Sequence, residues 1–472
     1  MQDQAENIIM RDSPEAGAAH LTSPPSRGFS WERHGSHDYA QAAHASPREA
    51  RPSAGRRPDS IHEAARPLTF MFLPLGWVLA HTSRCIEIAK VLRERGHHVV
   101  FAGDDPDHPR SKLDLVRRAG FPLRYAKEPF QPYAWDRFVK YGWMASTWDL
   151  ANLRHWAPLQ EIIEGHVELI RKERPNVVVG DASVSASTAA YIAGVPAACI
   201  MNAYASHFLT RRSIFHPALQ VYDRLHLARI RRRVFAKYNT KPVNSLRLLR
   251  SIPLLSPDLP GMYQTPKFFP KYHTVGPIFS EHPSPLPKWY EELDDGATNV
   301  YITMGSTGFL DAFLRAIYPV FSRLPHRFIV TTGGQASPET IAAAPENFRI
   351  TDFAPGSQIL RHCRAMIFHG GNGTMYQALV AGVPMLAMPS HLEQQVIADI
   401  AVKLGYCIRM KARKFNPDAL VQNLNRLIED RRYRDAARRF SLPIRASNGP
   451  ARAAELLERI AREGKPAGAE LI

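Results

Sequence analysis

From about residue 68 onward the chain alternates short apolar runs with stretches whose apolar positions recur at helical spacing. "LTFMFLPL" (68–75) reads as a buried strand. "SRCIEIAKVLRERG" follows as a helix, with Ile86, Ala89 and Leu92 on one face and Gly96 as its stop; "HHVVFAG" is strand again. That is a βαβ unit, whose crossover places the two strands parallel. The rhythm continues with "NVVVGD" (176–181) as strand, "SASTAAYIAG" as a helix ending in Gly194, and "VPAACIMN" as strand. Beyond the proline-rich "SEHPSPLPKWYEELDDGA" it restarts with strands "NVYITMGS" (299–306), "RFIVTTGG" (327–334), "FRITDF" (348–353) and "AMIFHGG" (365–371). The segment "RYRDAARRFSLPIRASNGPARAAELLERIARE" is helical by the same criterion.

These elements predict an α/β protein with two doubly wound, Rossmann-like domains facing across an interdomain cleft. The boundaries expected are a tail over 1–66, a first domain over 67–280 and a linker over 281–297. A second domain over 298–440 and a C-terminal helix and tail over 441–472 complete the chain. Ligands of such sheets bind outside the carboxyl ends of the strands, so the site is expected between the domains.

Composition changes this picture little, except through charge. The chain has 472 residues, of which 45% are hydrophobic and 22% charged, as in ordinary globular proteins. Residues 1–66 lack apolar periodicity and are rich in Ala, Ser, Pro, His and Arg, the signature of a disordered tail. Met71 stands at the first strand, which leaves open whether the tail belongs to the native protein. The tail carries 8 arginines against 9 acidic residues, so the net charge of +16 resides on the remainder.

No zinc finger, RNA-binding sheet motif or dense basic arm accompanies that charge, and nucleic acid is not expected as a partner. Cys85, Cys199, Cys363 and Cys407 are widely spaced and mostly in apolar runs, with no metal-binding spacing, so buried thiols and no metal are expected. Neither a leader pattern nor an apolar run of about 20 residues is visible, and a cytoplasmic location is expected. Residues 205–260 hold 11 basic residues against 2 aspartates. The part from 224 to 250 could rest on anionic lipid at the inner membrane face, or be a solvated helix surface.

The chemistry concentrates in "FHGGNGTMYQALVAGVPMLAMPSHLEQQ" (368–395). A strand ends at His369, "GGNGT" turns, and a helix runs to Gly382. Glycines admit an anion close to backbone N–H groups, and a helix N-terminus adds unsatisfied donors and partial positive charge. Asn372, Thr374 and His369 offer side-chain donors. The absence of a Gly-Lys-Ser/Thr ending separates the turn from a Walker loop. Glu393 and Gln394, after the next strand, suit sugar hydroxyls.

"HGGNGT" with "GVPMLAMPSHLEQ" resembles the nucleotide-sugar signature of family 1 glycosyltransferases, the GT-B enzymes that include macrolide, sterol and plant secondary-metabolite transferases. The resemblance spans roughly 67–465. It implies that His369 contacts the donor diphosphate and that Gly371, Asn372, Gly373 and Thr374 hold its oxygens. Ser306 would lie near the same diphosphate, and Glu393 with Gln394 would bind the hexose. The family often has glutamate on the ribose where this chain has Gln377, and Pro-Gln where it has Pro355-Gly356. In the first domain, His81 precedes Ala89 by eight residues and Gly96 by fifteen, the family's register for its catalytic histidine, although Ala80 replaces the usual glycine. Asp181 stands where the family's activating aspartate falls. Read without the family, His81 could cap or pack, and Asp181 could cap the next helix.

The resemblance implies an inverting transfer of a hexose from a UDP- or TDP-sugar to a hydroxyl of a small, lipophilic acceptor, without cofactor or required metal. His81 would be the base and Asp181 its partner. The aromatic stretch 124–156 suits an apolar acceptor pocket. Two other readings are a non-catalytic sugar-nucleotide-binding auxiliary of another transferase and a membrane-associated glycolipid synthase.

Overall fold

The computed structural model describes residues 66–472 except 77, 104, 109–110, 127–155, 182, 205–230, 244, 264–267, 281–283, 306–308, 391, 413–415 and 472. Its frame is two all-parallel sheets. In the first half the strands are β1 (Thr69–Pro74), β2 (His98–Gly103), β3 (Leu123–Tyr125), β4 (Val177–Asp181), β5 (Ala197–Ile200), β6 (Leu254–Ser256) and β7 (Tyr272–Thr274). They lie in the order β3-β2-β1-β4-β5-β6-β7. The second half contributes β8 (Thr298–Thr303), β9 (His326–Thr331), β10 (Phe348–Thr351), β11 (Cys363–Phe368), β12 (Met385–Ala387) and β13 (Cys407–Arg409), in the order β10-β9-β8-β11-β12-β13.

The central strands are continuously apolar because helices cover both faces. Phe70 and Phe72 of β1 point to one layer, with Cys85, Ile88, Ala89 and Leu92 of the helix Leu79–Glu94. Met71 and Leu73 point to the other, with Ile163 and Val167 of the helix Trp156–Glu173 and Ala186 and Ala190 of the helix Val184–Ala193. Gly96, Gly194 and Gly382 follow their helices at φ of +85°, +70° and +67°, a backbone state that side chains with a Cβ rarely adopt.

Strands β3, β6, β7 and β13 carry no legible run. Each has three residues, too few to show a period, and β6 sits between Pro253 and Pro257. The helical C-terminal segment is two helices, Arg431–Ala446 and Gly449–Glu463. The first packs Ala436, Ala437 and Phe440 into the second-half core. The last returns to the first half, where Ala453, Ala454 and Leu457 share a core with β1 and the helix Leu79–Glu94.

An apolar cluster bridges the halves. Tyr204, Leu259, Met262 and Tyr263 of the first pack with Phe368, Met375 and Tyr376 of the second. Each sheet reverses its strand order at one place, between β1 and β4 and between β8 and β11. Those two reversal points open crevices at the carboxyl ends of the strands, where α/β sheets bind ligands.

Candidate active site

The first crevice holds His81 and Asp181. Asp181 is the last residue of β4, and the parallel register sets it beside Pro74 at the end of β1. His81 is on the first turn of the helix that leaves β1, so both chain directions deliver their side chains to one spot. His81 Nδ1 lies 2.6 Å from Asp181 Oδ1. An ionised carboxylate only accepts, which assigns the hydrogen of this contact to Nδ1 and leaves Nε2 as the ring nitrogen outside the pair. The helix Val184–Ala193 is capped by Ser183, whose hydroxyl accepts from Ala186 N at 3.3 Å, so Asp181 is not its cap.

Asp181 is fully buried, yet its carboxyl is held below the usual carboxylate range. Burial pushes it up, and the charges and hydrogen bonds of Arg84 and His81 outweigh that. Arg84 grips both carboxylate oxygens through Nε and Nη2, and its Nη1 donates to Asn202 Oδ1 at 2.5 Å. Cys85 Sγ faces Asp181 Oδ2 at 3.6 Å; burial, then Asp181, push that thiol well up, so it stays protonated. All four cysteines are buried and none forms a disulfide.

The second crevice holds the glycine turn. The helix Asn372–Val380 starts with Gly371 as its cap, and its first backbone N–H groups have no partner within the helix. The His369 imidazole lies between the loops that follow β8 and β11. A Cβ on Gly371 would collide with His369 Nε2, and one on Gly305 would fall 2.6 Å from Cε1. Gly370, at φ +94°, admits the backbone of Gln394. By contrast a Cβ at Gly373 meets nothing within 4 Å. Ser306 lies outside the described residues, and Thr374 stands half-buried on the first turn of the helix Asn372–Val380.

Several residues of the second crevice reach across the halves. Asn372 Nδ2 donates to Asp258 Oδ1 at 3.1 Å, and Asn372 Oδ1 accepts from Tyr263 at 3.3 Å. Tyr204 donates to Glu393 Oε1 at 2.5 Å. Gln394 turns its carbonyl back to Ser390 N and Oγ, at 2.9 and 3.1 Å. Gln377 Nε2 donates to Ser280 O at 3.1 Å, and its Oε1 is beside Gly356. The two departures from the family pattern, Gln377 and Pro355-Gly356, are therefore neighbours.

Asp258 is the junction. It is 1% exposed and accepts from Asn202 Nδ2, Ala203 N and Ser256 Oγ on its own side, and from Asn372 and Tyr376 on the other. Burial, then the Asp258 charge, push the Tyr376 and Tyr263 phenols well up, so both remain donors. A continuous polar chain thus runs from His81 through Asp181, Arg84, Asn202 and Asp258 to Asn372. Sequence reading missed Arg84, Asn202, Tyr204 and Asp258. Only Arg84 left a trace, three residues after His81 on one helix face; Asp258 is hidden in the turn "SPDLPG".

His97 accepts from Leu68 N and faces Glu458, and His362 pairs with Asp294, so both brace the structure. Among the described residues no group of three His, Cys, Asp or Glu side chains could hold a metal ion, and no helix is long and apolar enough to cross a membrane. The aromatic stretch is outside the described residues over 127–155, as is the basic segment over 224–230.

Two reversal-point crevices on two parallel sheets, joined by a buried polar chain, are the geometry against which the chain is compared with known proteins. Residues 319–460 match the family described as erythromycin biosynthesis protein CIII-like, C-terminal domain. The chain is 25% identical over 402 residues to a PGL/p-HBAD biosynthesis rhamnosyltransferase of Mycobacterium bovis, covering 80% of this chain and 84% of the relative. It is 24% identical over 422 residues to the demethyllactenocin mycarosyltransferase of Streptomyces fradiae, with 85% and 88% covered. Among solved structures, the calicheamicin glycosyltransferase CalG4 superposes with a TM-score of 0.67 at 22% identity, covering 85% of this chain and all of that one. SnogD from Streptomyces nogalater does so with a TM-score of 0.63 at 21% identity, covering 84% and 100%. The fold is GT-B. The chain is a glycosyltransferase, an enzyme of sugar transfer, similar to the GT-B transferases of macrolide and glycolipid pathways.

Proposed function

We propose that the enzyme moves a hexose from a UDP- or TDP-sugar to a hydroxyl of a small, lipophilic acceptor, with inversion at the anomeric carbon. The observation that carries this reading is the pairing of the two crevices: an aspartate-held histidine at one, a glycine-lined helix N-terminus at the other, bonded to each other through Asp258. Similar structures include a rhamnosyltransferase, SpnG, complexed with thymidine diphosphate, which supports a nucleoside diphosphate at the glycine turn. The mycarosyl- and rhamnosyltransferase relatives support a deoxyhexose among the donors to be tested first.

In this scheme Nε2 of His81 takes the proton of the acceptor hydroxyl as its oxygen attacks the anomeric carbon. Asp181 keeps the imidazole in the base-competent tautomer and balances the charge it acquires. The departing diphosphate collects negative charge where the helix Asn372–Val380 presents N–H groups and His369 a ring nitrogen. Glu393 and Gln394 hold sugar hydroxyls, with Tyr204 giving up its bond to Glu393 when the donor enters. No step in the scheme calls for a metal or cofactor.

The test is turnover of purified protein with a panel of UDP- and TDP-hexoses and aromatic or polyketide alcohols, read by mass spectrometry. Product from a TDP- or UDP-sugar with wild type, and a loss of about 10²-fold or more in kcat with His81→Ala, is the expected result. Full turnover by His81→Ala would remove His81 as base. Donor binding without hydrolysis or transfer to any acceptor would favour the auxiliary role.

A further inference from the structure

Arg84 has no part in the scheme so far, yet it is the most heavily engaged charge near the base. It is 5% exposed, donates to both oxygens of Asp181, and reaches Asn202 with its remaining nitrogen. Its Nη2 is also 2.8 Å from His81 Nδ1. With the hydrogen on Nδ1, that approach is one of two donors converging on the same carboxylate oxygen, not a bond between them. A carboxylate with no counter-charge beside a histidine favours the protonated ring. Here the carboxylate is already matched, one for one, by a guanidinium.

We propose that Arg84 is a positioning residue for the reaction: it fixes the Asp181 carboxylate in a two-point clamp and neutralises it, so that Asp181 orients His81 without locking it in the protonated state. The inference rests on the reading of His81 as base. The clamp is rigid because the planar fork of arginine matches a carboxylate at two points, which a lysine cannot do. It is also backed from behind, since Asn202 is bonded to Asp258 at 3.3 Å.

The groups that bear on His81 can be named from every side. On its own helix stand Arg84 and the protonated Cys85. At the end of β4 stands Asp181, and beyond β5 Asn202 and Tyr204. From the loop after β6 comes Asp258 through Asn202, and from the helix Leu392–Lys403 comes Glu393 through Tyr204. Burial, then Glu393, push the Tyr204 phenol well up, so it is neutral. Among the described residues the charges that contact His81 are therefore Asp181 and Arg84, of opposite sign. Removing Arg84 leaves a net negative neighbour and favours the imidazolium. Removing Asp181 leaves a net positive one and disfavours it.

The experiment compares the pH profile of kcat/KM with the NMR titration of the His81 ring, identified as the signal lost in His81→Asn. Arg84→Gln is expected to move the acid limb and the ring midpoint to higher pH by about one unit. Arg84→Lys keeps the charge, so its limb stays near that of wild type while kcat falls severalfold from the lost fork. Should Arg84→Gln not fold, Asp181→Asn and the double variant Arg84→Gln/Asp181→Asn supply the same comparison without an unmatched buried carboxylate. The ring midpoint is expected to fall in the single variant and to rise again in the double. Unchanged midpoints on losing Arg84, in either background, overturn the proposal, as does an Arg84→Lys limb displaced as far as that of Arg84→Gln. A ring midpoint that moves as expected while the kcat/KM limb does not follow overturns His81 as the base instead, and with it the catalytic meaning of the clamp.

Discussion

The two crevices lie at equivalent points of similar sheets but are built from opposite materials. The β1/β4 crevice is made of polar and charged side chains: Asp181 accepts from both Arg84 and His81. The β8/β11 crevice is made of missing side chains, where Gly305, Gly370 and Gly371 clear space for a ring and a backbone. The difference follows from what each must do in the proposed reaction. A base needs a defined protonation state, which nearby charges set. A diphosphate brings its own charge and needs room and backbone donors, so a fixed cation is less necessary than a helix N-terminus. Charge fails steeply when one partner is lost. Glycine fails wherever a methyl group has no place to go.

The largest expected effect is on the charged side. His81→Ala is expected to lower kcat by about 10²- to 10⁴-fold. Asp181→Asn keeps the shape and loses the charge, and kcat is expected to fall by a similar order, because the tautomer is no longer fixed. Steady-state kinetics over pH 5–9 checks both. A loss in KM alone, with kcat retained, would break the assignment of this crevice to chemistry.

Next comes the glycine side, where the comparison has an internal control. Gly371→Ala would drive a methyl group into His369, whereas Gly373→Ala enters open space on the same turn. Donor affinity, read by titration calorimetry with TDP or UDP, is expected to fall tenfold or more in Gly371→Ala and little in Gly373→Ala. Equal losses would mean that the turn needs flexibility and not the space His369 occupies.

Asp258 joins the two sides, and both its oxygens accept, so Asp258→Asn must point an amide N–H at a donor whichever way it turns. A stability loss of about 2–3 kcal/mol is expected in urea unfolding. Acid should act in the same direction through Asp181. Its folded carboxyl is held below its ordinary value, so the stability it supplies is full above about pH 4 and is lost as pH falls further. Asp181→Asn is expected to flatten that acid decline. The smallest effect is that of Tyr204→Phe, which removes one hydrogen bond to the exposed carboxylate of Glu393. A cost of about 1 kcal/mol or less is expected, with an unchanged or lower KM for the donor once Glu393 is released.

The alternation of buried strands and amphipathic helices was legible because strands covered on both faces must be apolar throughout. Eight long runs sufficed for the α/β class and for two halves. The His81 register and the glycine turn were legible for a related reason: both belong to single local junctions between a strand and its helix, where chain direction alone decides placement. The three-residue strands β6 and β7 were not legible. Pairing of β6 with β5 and of β7 with β6 stabilises them, and nothing within three residues can signal it.

The sequence by itself therefore determined the alternating architecture and the strand–helix junctions that carry His81 and the glycine turn, since period, stop glycines and motif spacing are properties of neighbours along the chain. Only the tertiary structure decided that Arg84 clamps Asp181 across 97 residues and that Asp258 bonds Asn372 across 114. It also decided that the last helix packs against the first sheet. Buried polar groups must find partners wherever the fold puts them, and for a carboxylate at the end of a central strand that partner comes from another element.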